Sequence, residues 1–150
     1  MFCFNTPVYG YHQIKIQKGF HGQWSKVTEE LLEFQDAVSQ KAVLMSLCEL
    51  SDLYCALHAY CEFNGYEDVW NSAFLRESLP VSTAGWELPE TQATQLTSLL
   101  LEFHQTPSAV ELLNIMAWLE TYCQQYNMTL RDIAHLGFLT HNAFKTGVRA

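Results

Sequence analysis

Five acidic side chains in the first third of the chain form two short groups with helical spacing. Glu29, Glu30 and Glu33 fall within five residues, and Glu49 and Asp52 follow after fifteen further residues. At about 100° per residue, Glu30 and Glu33 lie on one seam of a helix, and Glu49 and Asp52 lie on one seam of the next. Paired carboxylates on two such seams can bind cations if the seams face each other.

The neighbours of the second pair indicate that this seam faces protein rather than solvent. Its other positions are Met45, Ala56 and Ala59, which are small or apolar. Carboxylates buried among apolar side chains are costly unless they are paired or bound to metal. If the two seams face each other, mutual repulsion raises the pKa values of the carboxylates unless cations compensate. Oxygen ligands favour Mg²⁺, with Mn²⁺ as a substitute, over zinc.

A solvated helix face is the alternative interpretation of the first acidic group, since an E-E-x-x-E run alone is commonly surface charge. The E-x-x-D pair on a neighbouring helix, inside an apolar seam, shifts the interpretation towards a functional site. Glu29 turns further from the apolar stripe than Glu30 does, which sets it apart from the other four acids.

The hydrophobic pattern that positions these acids is helical along most of the chain. Val27, Leu31, Phe34 and Val38 follow a 4-3-4 spacing, which predicts one buried helical face. Six helices are predicted, the first from about residue 23 and the others over about 41–62, 67–77, 90–105, 108–126 and 129–145. No convincing strand pair accompanies them, so the predicted fold class is all-α, a bundle of about six helices.

Two helical halves are predicted, joined by a segment rich in Pro, Gly and Ser/Thr. The predicted organisation is an irregular lead-in at 1–22, a motif-bearing half at 23–77, a linker at 78–89 and a second half at 90–150, in one compact domain.

The two halves resemble each other, which predicts a degenerate tandem repeat. L-L-E-F-Q at 31–35 matches L-L-E-F-H at 100–104, and Y-C at 60–61 recurs at 122–123. The alternative is two amphipathic units that merely look alike. The second half has Ser98, Leu99 and Glu102 opposite the first acidic group, and Glu111 and Asn114 opposite the second. A second complete metal site is therefore not expected.

Composition narrows the classes of partner. The 150 residues are 49% hydrophobic and carry a net charge of −8, which argues against a nucleic-acid or anionic-membrane surface. Neither a signal peptide nor a run of about 18 apolar residues is evident. Five cysteines without a C-x-x-C pair indicate a reducing, cytoplasmic location and give no suitable spacing for zinc.

The two acidic groups carry a family resemblance. E-E-L-L-E at 29–33 followed by E-L-S-D at 49–52 resembles the signature of the MazG-like all-α nucleoside triphosphate pyrophosphohydrolases. That superfamily includes dimeric dUTPases, dCTPases and phosphoribosyl-ATP pyrophosphatases. The resemblance implies Mg²⁺-dependent cleavage of the α–β phosphoanhydride of a nucleoside triphosphate, giving monophosphate and pyrophosphate. It also implies metal ligation by Glu30, Glu33, Glu49 and Asp52, and a catalytic set of Glu29, Glu30 and Glu33.

Candidate substrate contacts are few because the chain has few basic residues. The candidates for phosphate are Lys26, Arg76, Lys145 and Arg149, and those for stacking on a base are Trp24, Phe20 and Tyr11. Helix-end stabilisation is the alternative for the last two basic residues, and packing is the alternative for the aromatic ones. The chain is expected to act as a homodimer or as a monomeric internal pseudo-dimer. A non-catalytic helical binding module is the rival function.

Overall fold

Six α-helices make up most of the computed structural model, which describes residues 11–74 and 89–145, with side chains described over 11–73 and 91–137. The helices are α1 (Trp24–Ser39), α2 (Val43–Phe63), α3 (Glu67–Phe74), α4 (Pro89–Gln105), α5 (Ala109–Gln124) and α6 (Leu130–Lys145). No strand occurs in the described ranges, so the predicted all-α class is confirmed. Most of the predicted linker lies outside the described residues, and its last residue, Pro89, is already helical.

The turn between α1 and α2 sets the start of α2 two residues later than predicted. Lys41 has a φ of 59°, and its N–H bonds to the Val38 carbonyl at 2.9 Å. The Ala42 N–H bonds to the Ala37 carbonyl at 3.0 Å. This pair of bonds around a left-handed residue ends a helix, so Lys41 belongs to the turn and α1 and α2 form a tight hairpin.

The predicted apolar face of α1 is confirmed, since Val27, Leu31, Phe34 and Val38 are all buried. Phe34 is fully buried and meets the rings of Trp118 and Tyr122 on α5 edge-on, with centroids 5.9 and 5.3 Å away. Most other large buried side chains come from α2, α4 and α5, with Trp70 from α3 and Ile133 from α6. The core therefore lies between the α1–α2 hairpin and the second half of the chain.

Helices of each half pack against helices of the other half. Besides the α1–α2 and α4–α5 pairs, α1 packs on α4, α2 packs on α6, and α3 packs on α5. The ends of α2 and α5 also match: the carbonyls of Cys61 and Cys123 accept bonds from the N–H groups of Tyr66 and Met128, across Gly65 and Asn127 with positive φ. The reciprocal packing and the matching helix ends are expected of two halves related by an internal two-fold axis. They support the tandem repeat, which remains a prediction.

Close packing of α6 brings it beside the acidic seam of α2. A Cβ atom added at Gly137 would lie 2.5 Å from the Cys55 Sγ atom and 2.8 Å from the Ser51 carbonyl oxygen. Because backbone cannot yield at such a distance, glycine allows the close approach of α6 to this stretch of α2. The stretch includes Asp52, so α6 borders the region of the carboxylates.

The described ranges contain neither a disulfide nor a helix suited to cross a membrane. No disulfide joins the cysteines there, which are Cys48, Cys55, Cys61 and Cys123. Among the described helices, none combines the length and the apolar character that a membrane span requires.

Candidate metal centre

The hairpin of α1 and α2 brings the acids of the two predicted seams together. One ligand atom from each of Glu30, Glu49 and Asp52 lies within 4.8 Å of the other two. The same holds for the triad of Glu29, Glu30 and Glu33. The facing of the two seams, on which the sequence interpretation depends, is therefore seen in the structure.

Burial rules out a solvated face for these acids. Glu29, Glu30 and Glu49 are 2%, 5% and 6% exposed, and Glu33 and Asp52 are partly buried. Ionised carboxylates are almost never buried to this extent unless something compensates their charge. The surface-charge alternative for the E-E-x-x-E run is thus wrong.

Two buried carboxylate oxygens in the cluster have no hydrogen-bond partner among the described residues. They are the Oε2 atoms of Glu30 and Glu49. A buried polar atom left unsatisfied costs about 1–3 kcal/mol, and more when it is charged. Since a divalent cation binds to carboxylate oxygens, these atoms and the oxygen-only triad of Glu30, Glu49 and Asp52 could hold a hard cation such as Mg²⁺.

The crowding of acids raises the pKa of Glu33 to about 10. Burial is the largest cause, followed by the charges and hydrogen bonds of Glu30 and Glu49. Without a cation, Glu33 therefore holds a proton at neutral pH. The repulsion that facing seams predict thus adds to the larger effect of burial.

Lys26 compensates part of the negative charge. Its Nζ atom lies 2.9 Å from the Glu29 Oε2 atom and 2.8 Å from the Glu30 Oε1 atom. Burial lowers the pKa of Lys26, but hydrogen bonds and charges from the two glutamates outweigh it and raise the pKa above its ordinary value. Lys26, predicted to contact phosphate, is thus also the principal cationic partner of the acidic helix.

Glu29 differs from the other acids in having a donor at each oxygen. Its Oε1 atom accepts a 2.7 Å bond from the Gly19 N–H, while its Oε2 atom faces Lys26. A Cβ atom at Gly19 would clash with the Ser25 carbonyl, so glycine is needed for this approach. Glu29 therefore anchors the segment before α1, in keeping with its separate position on the helix.

Sequence reasoning missed a set of polar residues beside the cluster. The Tyr11 hydroxyl donates to the Glu49 Oε1 atom at 2.7 Å, although Tyr11 was predicted as a stacking or packing residue. The His12 Nδ1 atom lies 2.7 Å from the Asp36 Oδ2 atom, which also accepts bonds from the Gln13 N–H and the Gln40 side-chain amide.

A periodic signal for part of this set was present. Glu29, Glu33, Asp36 and Gln40 follow a 4-3-4 spacing, so they form a second polar seam beside that of Glu30 and Glu33. Asp36 is 4% exposed, which makes it a fourth nearly buried acid. Nothing in the spacing, however, indicates which residues outside the helix meet this seam.

The structure describes the surroundings of some candidates for substrate contact and not of others. Trp24 stacks on His104 of α4, with centroids 4.2 Å apart and planes 3° apart, and meets Tyr60 edge-on. One face of Trp24 is thereby covered, which favours the packing alternative for this residue. Phe20 is 68% exposed. The other candidates lie outside the residues whose side chains are described: Arg76, Lys145 and Arg149.

The second half holds no comparable carboxylate cluster within residues 91–137. Glu102 and Asn114 are exposed, and Glu111 accepts a hydrogen bond from Ser108 at the start of α5. The acids that remain at the repeated positions thus point to solvent or serve a helix end.

No protein-family model, curated protein or solved structure matches this chain. The candidate site is therefore defined by its own geometry.

Removing the Lys26 charge tests whether the cluster needs this cation for stability. In EDTA, Lys26→Met should lower the free energy of unfolding by about 3 kcal/mol, the low end for breaking a buried ion pair, because Lys26 is 28% exposed. Lys18→Met is the matched control: Lys18 is 86% exposed and 3.9 Å from Glu29, so no measurable change is expected. Equal urea denaturation curves for the two variants would contradict the role of Lys26.

The pKa of Glu33 predicts how metal-free stability depends on pH. Because the pKa of Glu33 is raised in the folded state, the contribution of Glu33 to stability is complete below about pH 4.5 and is lost as the pH rises towards 10. In EDTA, Glu33→Gln should therefore become progressively more stable than the wild type between pH 5 and 8. Thermal melts of both proteins measure this difference, with exposed Glu102→Gln as control. A difference that stays constant with pH would show that Glu33 is ionised.

Proposed function

We propose that this protein is a Mg²⁺-dependent nucleotide pyrophosphohydrolase that cleaves a (deoxy)nucleoside triphosphate to monophosphate and pyrophosphate. The observation that carries the proposal is the buried convergence of Glu30, Glu33, Glu49 and Asp52, with two carboxylate oxygens left unpartnered. The resemblance of the two acidic motifs to the MazG-like signature supplies the reaction class.

The four carboxylates would hold the cation, with Glu30, Glu49 and Asp52 forming one closely spaced triad and Glu33 adjoining it. When bound, Mg²⁺ neutralises triphosphate charge and lowers the pKa of an attacking water. The net charge of −8 is compatible with an anionic substrate for this reason. A cation held by the protein, rather than a basic surface, would attract the phosphates.

Among the acids, Glu33 is the best candidate for the general base. Glu30 is the other candidate, but its Oε1 atom is engaged by Lys26 at 2.8 Å. Glu29 would act as a positioning residue, because both of its oxygens already accept bonds from Gly19 and Lys26.

Lys26 is suited to contact a phosphate oxygen as well as the acids. Its side chain is 28% exposed, so the ammonium group lies at the edge of the cluster rather than inside the core. Its raised pKa keeps it positively charged at neutral pH. The second half would supply the packing partner of the hairpin, and the chain would act as a monomeric pseudo-dimer or dimerise further. The use of cysteines without disulfides in the described ranges supports a cytoplasmic site of action.

Hydrolysis of nucleotides tests the proposal directly. Pyrophosphate release from a panel of NTPs and dNTPs should require Mg²⁺ and stop in EDTA. Glu49→Gln should lower the rate by more than about 100-fold, because loss of a ligand exceeds the 10–100-fold cost of disturbing a residue behind one. Glu102→Gln should retain full activity, since Glu102 is exposed at the repeated position.

Two results would contradict the proposal in different ways. If no nucleotide is hydrolysed and Mg²⁺ leaves the melting temperature unchanged, the non-catalytic binding module is the better interpretation. If hydrolysis is observed but Glu49→Gln is fully active, the protein is a hydrolase whose site lies elsewhere.

A further inference from the structure

We propose that His12 is a nitrogen ligand that, with Glu33 and Glu49, forms a cation position selecting Mn²⁺ and other transition metals over Mg²⁺. This inference rests on the metal site of the proposed function, but it does not require nucleotide hydrolysis. Glu49 also belongs to the triad with Glu30 and Asp52, so the His12 position adjoins the all-oxygen position.

The geometry places the imidazole at the cluster. One ligand atom from each of His12, Glu33 and Glu49 lies within 4.8 Å of the other two. The His12 Nε2 atom is 3.6 Å from the Glu49 Oε1 atom, which is too long for a hydrogen bond. His12 is 11% exposed, so its ring is held between protein groups.

Asp36 fixes which nitrogen of His12 carries the proton. The Asp36 Oδ2 atom accepts bonds from the Gln13 N–H at 3.1 Å and from the Gln40 amide at 2.8 Å, so it acts as an acceptor. The His12 Nδ1 atom, 2.7 Å away, must then be the donor. The Nε2 atom is then the ring nitrogen on the side of the Glu49 carboxylate.

This is the arrangement in which proteins present a histidine to a metal: a carboxylate behind one ring nitrogen and the metal at the other. A metal ion at this position would bind the unprotonated Nε2 atom together with carboxylate oxygens. Imidazole nitrogen suits transition metals such as Zn²⁺, Fe²⁺ and Ni²⁺ and is also accepted by Mn²⁺, whereas Mg²⁺ prefers oxygen. His12 therefore biases this position towards transition metals.

The Glu49 carboxylate also has an oxygen atom available for coordination. Glu49 is 6% exposed, and Tyr11 occupies its Oε1 atom with a 2.7 Å hydrogen bond. Its Oε2 atom is buried without a hydrogen-bond partner in the described part of the chain. Tyr11 thus fixes the carboxylate through one oxygen and leaves the other for coordination.

Electron spin echo measurements on the metal-free protein loaded with Mn²⁺ alone test the assignment. The wild type should show the ¹⁴N coupling of a directly bound imidazole. His12→Gln should lose this coupling, and its Mn²⁺ affinity should fall by more than about 100-fold, the loss expected for a direct ligand, while Mg²⁺ affinity changes little. His135→Gln, which alters an exposed histidine on α6, is the control and should behave as the wild type.

Two spectra would overturn the inference: a wild-type spectrum without ¹⁴N coupling, or a coupling that persists in His12→Gln. The wild-type spectrum alone decides the question if the variant does not fold. If Mn²⁺ binds through oxygen only, His12 is not a ligand, but the proposed hydrolysis is unaffected. If the ¹⁴N coupling is present but no nucleotide is hydrolysed, His12 is a ligand and the proposed hydrolysis is wrong.

Discussion

Electrostatic repulsion among carboxylates buried between α1 and α2 is the constraint on which the rest of the structure depends. Glu30 and Glu49 are almost completely buried, and Glu33 lies beside both. Three compensations are visible without a metal: the Lys26 ammonium group, the Tyr11 hydroxyl and a proton held by Glu33. Neither Lys26 nor Tyr11 satisfies the Oε2 atoms of Glu30 and Glu49. A cation would complete the balance, and this is the physical reason to propose the cluster as a metal centre.

The scaffold around the cluster is built to hold it rigidly. The tight turn at Lys41 fixes α1 against α2, and Gly137 lets α6 approach the back of the acidic stretch of α2. On the other side, the segment before α1 is fastened by the Gly19 N–H on Glu29 and by Tyr11 on Glu49. Carboxylates carried on packed helices and braced in this way are held in position for coordination.

Much of the fold and the centre of the site could be predicted from the sequence because both depend on helical periodicity. The 4-3-4 pattern identified the buried face of α1, and the same spacing put Glu30 with Glu33, and Glu49 with Asp52, on two seams that face each other in the structure. The roles of Tyr11 and His12 could not be predicted, because the segment before α1 has no periodic pattern and its contacts span 24 to 38 residues along the chain. The start of α2 was missed because Lys41 adopts a positive φ that glycine or asparagine would ordinarily signal.

Anomalous scattering from crystals grown with Mn²⁺ tests whether the carboxylates between α1 and α2 form a cation site. If they do, an anomalous peak is expected within coordination distance of carboxylate oxygens from Glu30, Glu49 and Asp52. Because exposed acids also attract cations weakly, the decisive feature is the position of the peak. Strong peaks confined to exposed acids, with none between α1 and α2, would show that the buried carboxylates do not form a cation site.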